Sequence, residues 1–325
     1  MSSSHSEHDA TPDPGGDLSA VVIACALVSL AISAIAVAAR FYTRIVIVRV
    51  LAAEDWFIFA AWVLSDANTS FCLLEAKSAL GHHASDLAPH DFLEWGRASW
   101  LTTLFYQLSL ACSKVSILLL YIQILTYNYA RRAAYFVLAI VVIYNVAGFI
   151  SSMTLCVPIQ AQWDKSVKGK CHTQPRYMWL FINLHIATDF LIFLLPIPVV
   201  LRMSARLGQK LILLFIFSLG LLICIISILR AVWINALFKS KDPSWDFVAV
   251  SNWNSIEVNT AIVCVCLLVT KPLFVKLWER VRPKPPTTTS ETASSSTTSD
   301  RLDSGPRRPV YPSSREQLFE QKLPG

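Results

Sequence analysis

Ionisable side chains set inside long apolar runs are the residues of this chain best placed to do chemistry. They are Asp66, Glu75, Lys77, Lys114, Asp189, Arg230 and Glu257, accompanied by the polar Gln107, Asn145, Asn183, His185, Asn235 and Asn259. Hydrocarbon cannot solvate a charge, so such groups are expected to turn inward and find partners. Counting about 1.5 Å of helical rise per residue from the outer run ends, Arg230 and Glu257 both lie roughly 9–12 Å deep. Matched depth predicts an ion pair between the sixth and seventh runs. Asp189 falls near the middle of the fifth run, and the long stem of Lys114 can carry its ammonium towards that depth, a second candidate pair. Two uses are open to these groups: fastening helix to helix, or lining a ligand pocket or proton path that opens outward. On either use the candidate site is Lys114, Asn183, His185, Asp189, Arg230, Glu257 and Gln107.

His185 stands four residues before Asp189 and shares its helical face. A hydrogen-bonded core imidazole is expected there rather than a metal ligand, because the sequence shows no cluster of Cys, His or carboxylates to supply further ligands. No metal and no cofactor is expected. Retinal would need a lysine inside the last run, and the nearest, Lys271, lies at its boundary. No nucleotide loop, zinc helix or nucleophile elbow occurs. Any catalysis would rest on carboxylates, His and Tyr within the bilayer, and the sequence reads as a non-enzyme before an enzyme. Cys156 and Cys171 bound the segment CVPIQAQWDKSVKGKC. On the oxidising side of a membrane they are expected to form a disulfide, restricting the loop by about 3 kcal/mol; two free thiols are the alternative. The other six cysteines, Cys25, Cys72, Cys112, Cys224, Cys264 and Cys266, fall in apolar runs as small hydrophobes.

The elements that must hold these groups follow from composition. Of 325 residues, 54% are hydrophobic and 15% charged, against about 25% charged in soluble domains. A bilayer core asks for about 20 apolar residues per helix. Seven runs meet that length: 18–39, 56–80, 98–125, 133–155, 177–201, 211–238 and 252–270. The basic residues sit in the connecting loops, where they set topology, so no nucleic-acid role is implied. With the N-terminus outside, thirteen cations flank spans on the cytoplasmic side: Arg40, Arg44, Arg49, Arg131, Arg132, Arg202, Arg206, Lys210, Lys271, Lys276, Arg280, Arg282 and Lys284. Seven fall outside: Arg97, Lys165, Lys168, Lys170, Arg176, Lys239 and Lys241. The expectation is an all-α, seven-transmembrane bundle with its N-terminus outside and its C-terminus cytoplasmic.

Four segments follow. Residues 1–17 carry no Lys or Arg, lack a signal peptide's basic start, and are expected to be a disordered extracellular N-terminus. Residues 18–270 form the membrane domain. Residues 271–284 place Phe274, Leu277, Trp278 and Val281 on one face with basic residues opposite, the pattern of an interfacial helix. Residues 285–325 are rich in Ser, Thr and Pro and predict a disordered, phosphorylatable cytoplasmic tail. The sequon at Asn68 falls inside a span and is discounted.

Several ordered motifs carry a resemblance: EDWFIFAAWVLS and ALGHH in the second span, FYQLSLACSKVSILLLYIQI in the third, CVPIQAQWD with Cys171, NLHIATDFLIFLLPIPVV in the fifth, and the region of Arg230 before DPSWDF. Together they resemble the fungal rhodopsin domain family, which includes seven-span relatives of pathogenicity receptors and of satratoxin-cluster membrane proteins. Matched positions include Asp55, Trp56, Gly81, His82, Gln107, Lys114, Ser116, Cys156, Pro158, Trp163, Asp164, Cys171, Asn183, Asp189, Pro196, Pro198, Arg230 and Glu257. The resemblance implies a receptor-like membrane protein. Its expected partners are the lipid bilayer, a small apolar ligand and a cytoplasmic signalling protein, and its expected location is the plasma membrane. The alternative is a membrane-embedded enzyme or transport accessory of fungal secondary metabolism acting on an apolar substrate, and a ligand-free scaffold is a third reading.

Overall fold

A computed structural model describes residues 18–81, 88–125, 127–164, 166–171, 175–198, 207–240 and 243–270. The expected N-terminal segment 1–17, interfacial helix 271–284 and tail 285–325 lie outside the described residues. Seven long helices account for nearly all of the rest: α1 Ser19–Tyr42, α2 Ala53–Ser78, α3 Pro89–Ile124, α4 Asn128–Thr154, α5 Pro175–Leu194, α6 Leu207–Leu237 and α7 Pro243–Val269. Six are long and apolar enough to cross a membrane, and Met178–Leu194 of α5 is a shorter apolar helix. The chain is a seven-helix membrane protein.

Helix is the forced choice, because it satisfies every backbone N–H and C=O within one segment, where lipid offers no partner. Three helices begin on a proline, Pro89, Pro175 and Pro243, where a missing N–H costs nothing. The boundaries differ from the hydropathy runs in instructive places. The fifth run was expected to continue to residue 201, but α5 stops at Leu194, since Pro196 and Pro198 cannot extend a hydrogen-bonded ladder. Conversely, α1 runs on past residue 39 and adds a π-helical stretch, Thr43–Val48, before Arg49 turns left-handed at φ 59°. Helices α3 and α7 each start about nine residues before their apolar runs, on polar turns that hydropathy passes over.

Each helix packs on its neighbour in sequence, and α1 closes the ring against α7. Both α2 and α3 also touch α7, which makes α7 the most enclosed span. One end of the bundle holds an apolar core of Val37, Ile58, Ala61, Leu118, Ile262 and Val265. Close approach depends on small residues: a Cβ on Gly220 of α6 would lie 2.7 Å from the Phe193 ring of α5.

The other end carries a two-stranded hairpin. Strands β1 Cys156–Val157 and β2 Lys170–Cys171 run antiparallel with Cys156 opposite Cys171, and the two cysteines are joined as a disulfide. Trp163 in the hairpin lies against Trp100 of α3, ring centres 5.7 Å apart, and Gln162 donates to Ser152 O at 3.0 Å. The amide and hydroxyl of Ser166 both donate to Asp164 and hold its carboxyl below the usual range. Gly96 is the contact that seats this hairpin, since a Cβ there would stand 2.8 Å from Trp163 Cβ. Gly96→Val is expected to destabilise the protein by about 1–3 kcal/mol through overpacking, read as a lower unfolding temperature together with faster proteolysis within residues 156–171. Unchanged values on both would remove the hairpin from the packed structure.

Candidate functional site

The polar groups of five helices meet in the middle of the bundle. From α3 come Tyr106 and Lys114, from α4 Tyr144, from α5 His185, Thr188 and Asp189, from α6 Ser227 and Arg230, and from α7 Glu257; all are buried. The helical period brings them there. His185 and Asp189 are four apart and Ser227 and Arg230 three apart, so each pair shares a face.

Lys114 Nζ lies 2.9 Å from Asp189 Oδ1 and donates to Thr188 Oγ1 at 2.8 Å. Arg230 Nε lies 2.7 Å from Glu257 Oε2, with its guanidinium over the Tyr106 ring at 5.3 Å. The Tyr106 hydroxyl donates to the same Glu257 oxygen. Two cations thus face two carboxylates, and the charges cancel.

His185 sits between the pairs. Its Nε2 is 3.3 Å from Asp189 Oδ2 and 3.1 Å from Glu257 Oε1, so that nitrogen carries a proton to donate. Its Nδ1 faces the Tyr144 hydroxyl at 3.0 Å and Lys114 Nζ at 3.4 Å, both donors, so that nitrogen accepts. The neutral Nε2–H tautomer satisfies both sides and keeps the cluster electrically neutral. Ser227 repeats the bridge from α6, reaching Asp189 Oδ2 at 2.9 Å and Glu257 Oε1 at 2.6 Å, besides Ile223 O of its own helix at 3.1 Å, with a single proton to give. His185 and Ser227 therefore each address both carboxylates, and a small shift could change which one each serves.

Of the residues singled out from the sequence, Lys114, His185, Asp189, Arg230 and Glu257 come together here. Asn183 does not: it is exposed and donates to Trp179 O of its own helix at 2.7 Å. Gln107 is half-buried and lies against Gly148 of α4 instead. The expected inward turn also fails for Asp66, Lys77 and Asn235, whose side chains are exposed. One premise about His185 is corrected too. Its ligand atom and those of Asp189 and Glu257 lie within 4.8 Å of one another, a gathering that no local spacing announces because Glu257 arrives from another helix. The set does not suit a metal, however, since Lys114 and Arg230 already neutralise both carboxylates and would repel a divalent ion.

Sequence reasoning missed Tyr106, Tyr144, Thr188 and Ser227, which look like ordinary span residues until their neighbours are known. It also missed a second ionic cluster. Arg40, read as a flanking cation, is fully buried and pairs with Asp55 at 2.8 Å while donating to Val265 O at 2.9 Å. Arg44 pairs with Glu54 at 2.7 Å, and Gln123 donates to the other Glu54 oxygen at 2.6 Å. The signal was present in the sequence as two arginines four apart, followed across a short turn by Glu54-Asp55. A third polar group, Asn259, receives Ser33 at 2.6 Å and Ser65 at 3.1 Å, tying α7 to α1 and α2.

Lys114→Met and Asp189→Leu should each destabilise the bundle by about 3–5 kcal/mol, because each strands a buried charge. The double substitution should cost clearly less than the sum, a coupling of about 0.5–3 kcal/mol measurable by a double-mutant cycle of denaturant unfolding in micelles. Strict additivity would mean that the pair does not interact.

Residues 39–276 match the Fungal rhodopsin domain family. Over 289 residues the chain is 28% identical to the Polyenoic acids biosynthesis gene cluster protein Ba17b of Metarhizium anisopliae, covering 84% of this chain and 77% of that protein. It is 25% identical over 211 residues to a SAT4 family membrane protein of Emericella nidulans, 63% of this chain and 53% of the relative. It is 22% identical over 246 residues to the Receptor GIN3 of Arthrobotrys oligospora, 75% of this chain and 60% of the receptor. The chain thus spans little more than half the length of the latter two. No solved structure matches it.

Proposed function

The chain belongs to the fungal rhodopsin domain family, and from that premise we propose that it is a receptor-like membrane protein that senses a small apolar ligand through its central ionic cluster. One observation carries the reading: His185 and Ser227 are each within hydrogen-bond reach of both Asp189 and Glu257. A fully paired cluster whose bridging donors each reach both carboxylates is suited to two arrangements of similar energy. A ligand that favours one of them shifts α5, α6 and α7 together. Acid–base catalysis is served less well, because every charged group in the cluster already has a fixed partner of opposite sign. Kinship with a protein named as a receptor supports the same reading.

The proposed orientation places the hairpin end outside and Arg40, Arg44, Glu54 and Asp55 at the cytoplasmic end, in the plasma membrane. The excess of cytoplasmic-side cations and the disulfide in the hairpin support it. Tags at the two termini of the protein in intact cells should be reachable from opposite sides. Tags reachable from one side only would defeat this orientation.

A second reading, an enzyme or transport accessory of secondary metabolism, is favoured by kinship with a protein named for a biosynthesis gene cluster. The two separate on one comparison. For a receptor, one member of a panel of lipids and terpenes should raise the unfolding temperature of the purified full chain by about 5 °C or more near saturation. Deletion of its gene should leave no single precursor accumulating. Accumulation of one defined precursor would favour chemistry, and a panel without any stabiliser would leave a scaffold.

A further inference from the structure

Away from the central cluster, α1 and α2 leave a gap between them. A groove of about 280 Å³ opens there, lined by Ala34, Val37, Ala38 and Phe41 of α1 and by Phe59 and Trp62 of α2. The four α1 residues stand at i, i+3, i+4 and i+7, so they form one face of the helix. Aromatic rings supply the other side: Phe59 meets Phe41 edge-on with ring centres 5.8 Å apart and lies 6.3 Å from Trp62. Ligand sites usually measure about 300–1,000 Å³, so this groove takes part of a lipid-sized molecule and not the whole.

The groove is continuous with the lipid boundary. No charged side chain lines it, and on the same two helices Ile35, Trp56 and Val63 are exposed, as the outer face of a membrane span must be. What fills it therefore comes from the bilayer. A flexible acyl chain loses rotamer freedom when held in a fixed slot, whereas a rigid fused-ring lipid has little to lose. The two alanines offer such a ring system a smooth floor.

Depth fits the same occupant. Helix α1 has 24 residues from Ser19 to Tyr42, about 36 Å of rise, against a hydrocarbon core of about 30 Å. Tyr42 thus reaches the headgroup boundary at the end away from the hairpin. It lies one turn beyond Ala38 on the same face and is exposed, and helical side chains lean over the preceding turn, which here is the mouth of the groove. From Phe41 inward to Ala34 the groove runs about 10 Å along the helix, the length of a fused four-ring nucleus. Val37, Tyr42 and Arg44 also match the spacing proposed for sterol contact, Leu or Val, then Tyr, then a basic residue. That pattern is too short to count alone, but here its Val37 is a wall of the groove. Arg44 is held by Glu54 and Asp55, which leaves the Tyr42 hydroxyl to meet a polar head.

We propose that the α1–α2 groove binds a membrane sterol, its fused rings on Ala34 and Ala38 between the aromatic side chains and its hydroxyl at Tyr42. The site shares no residue with the central cluster and does not depend on the receptor reading.

A diazirine-bearing sterol is the probe, at trace level in phosphatidylcholine nanodiscs holding the full chain. After irradiation, the label should concentrate on the stretches 34–42 and 59–62. Excess ergosterol should abolish that labelling, and the same excess of a diacylglycerol should leave it in place. Ala38→Phe, which fills the slot from a lipid-facing position, should lose the label while keeping the parent's unfolding temperature in sterol-free nanodiscs. Should that variant fail to fold, Tyr42→Phe decides, since it removes only the hydroxyl and should require more ergosterol for the same competition. Label spread evenly over the outer faces of the other helices would mean bulk lipid only and would overturn the site. So would labelling that ergosterol does not displace, or that diacylglycerol displaces equally, or labelling and competition left unchanged by the substitution.

Discussion

A charge inside hydrocarbon has to be answered by an opposite charge, and a single helix can rarely supply both at the right distance. That constraint organises this protein. Lys114 on α3 is answered by Asp189 on α5, Arg230 on α6 by Glu257 on α7, and Arg40 on α1 by Asp55 on α2. Each pair is a cross-link whose rupture would strand a charge, so the pairs specify which helices neighbour one another more sharply than apolar packing could. Leucine packs as well against lipid as against another helix.

The pairs are distributed in layers. A central layer joins α3, α4, α5, α6 and α7; a second, towards the end away from the hairpin, joins α1, α2, α3 and α7 through Arg40, Glu54, Asp55 and Gln123. Between them Ile58, Leu118 and Ile262 belong to the apolar core. Helix α7 belongs to both layers and also carries Asn259, which holds Ser33 and Ser65. On the proposed receptor reading, a disturbance that begins at the shared donors His185 and Ser227 would reach the far end through α7. The two layers are contiguous through α7, and His185 and Ser227 each reach both carboxylates.

Membership of the fungal rhodopsin domain family brings together relatives named as a receptor and relatives named for biosynthesis clusters. A shared bundle does not by itself decide between these roles, since function resides in the site that a fold carries. In this chain the site is a buried ionic cluster in which each cation faces a carboxylate.

The sequence by itself determined the class of fold. Seven runs of spanning length leave lipid-exposed backbone no option except helix, and that holds without knowledge of any contact. It also pointed to the pairs Lys114–Asp189 and Arg230–Glu257, because depth follows from rise per residue and depth restricts partners. Depth is one coordinate only. The azimuth of each side chain, set by how seven helices roll against one another, was left to the tertiary structure. That is why Asn183 at a favourable depth faces outward, why Tyr106, Tyr144 and Ser227 joined the cluster unannounced, and why Arg40 lies buried although its neighbours in sequence read as a boundary. Helix ends divide the same way: Pro196 and Pro198 stop α5 by local chemistry, whereas the polar first turns of α3 and α7 are helical beyond any hydropathy signal.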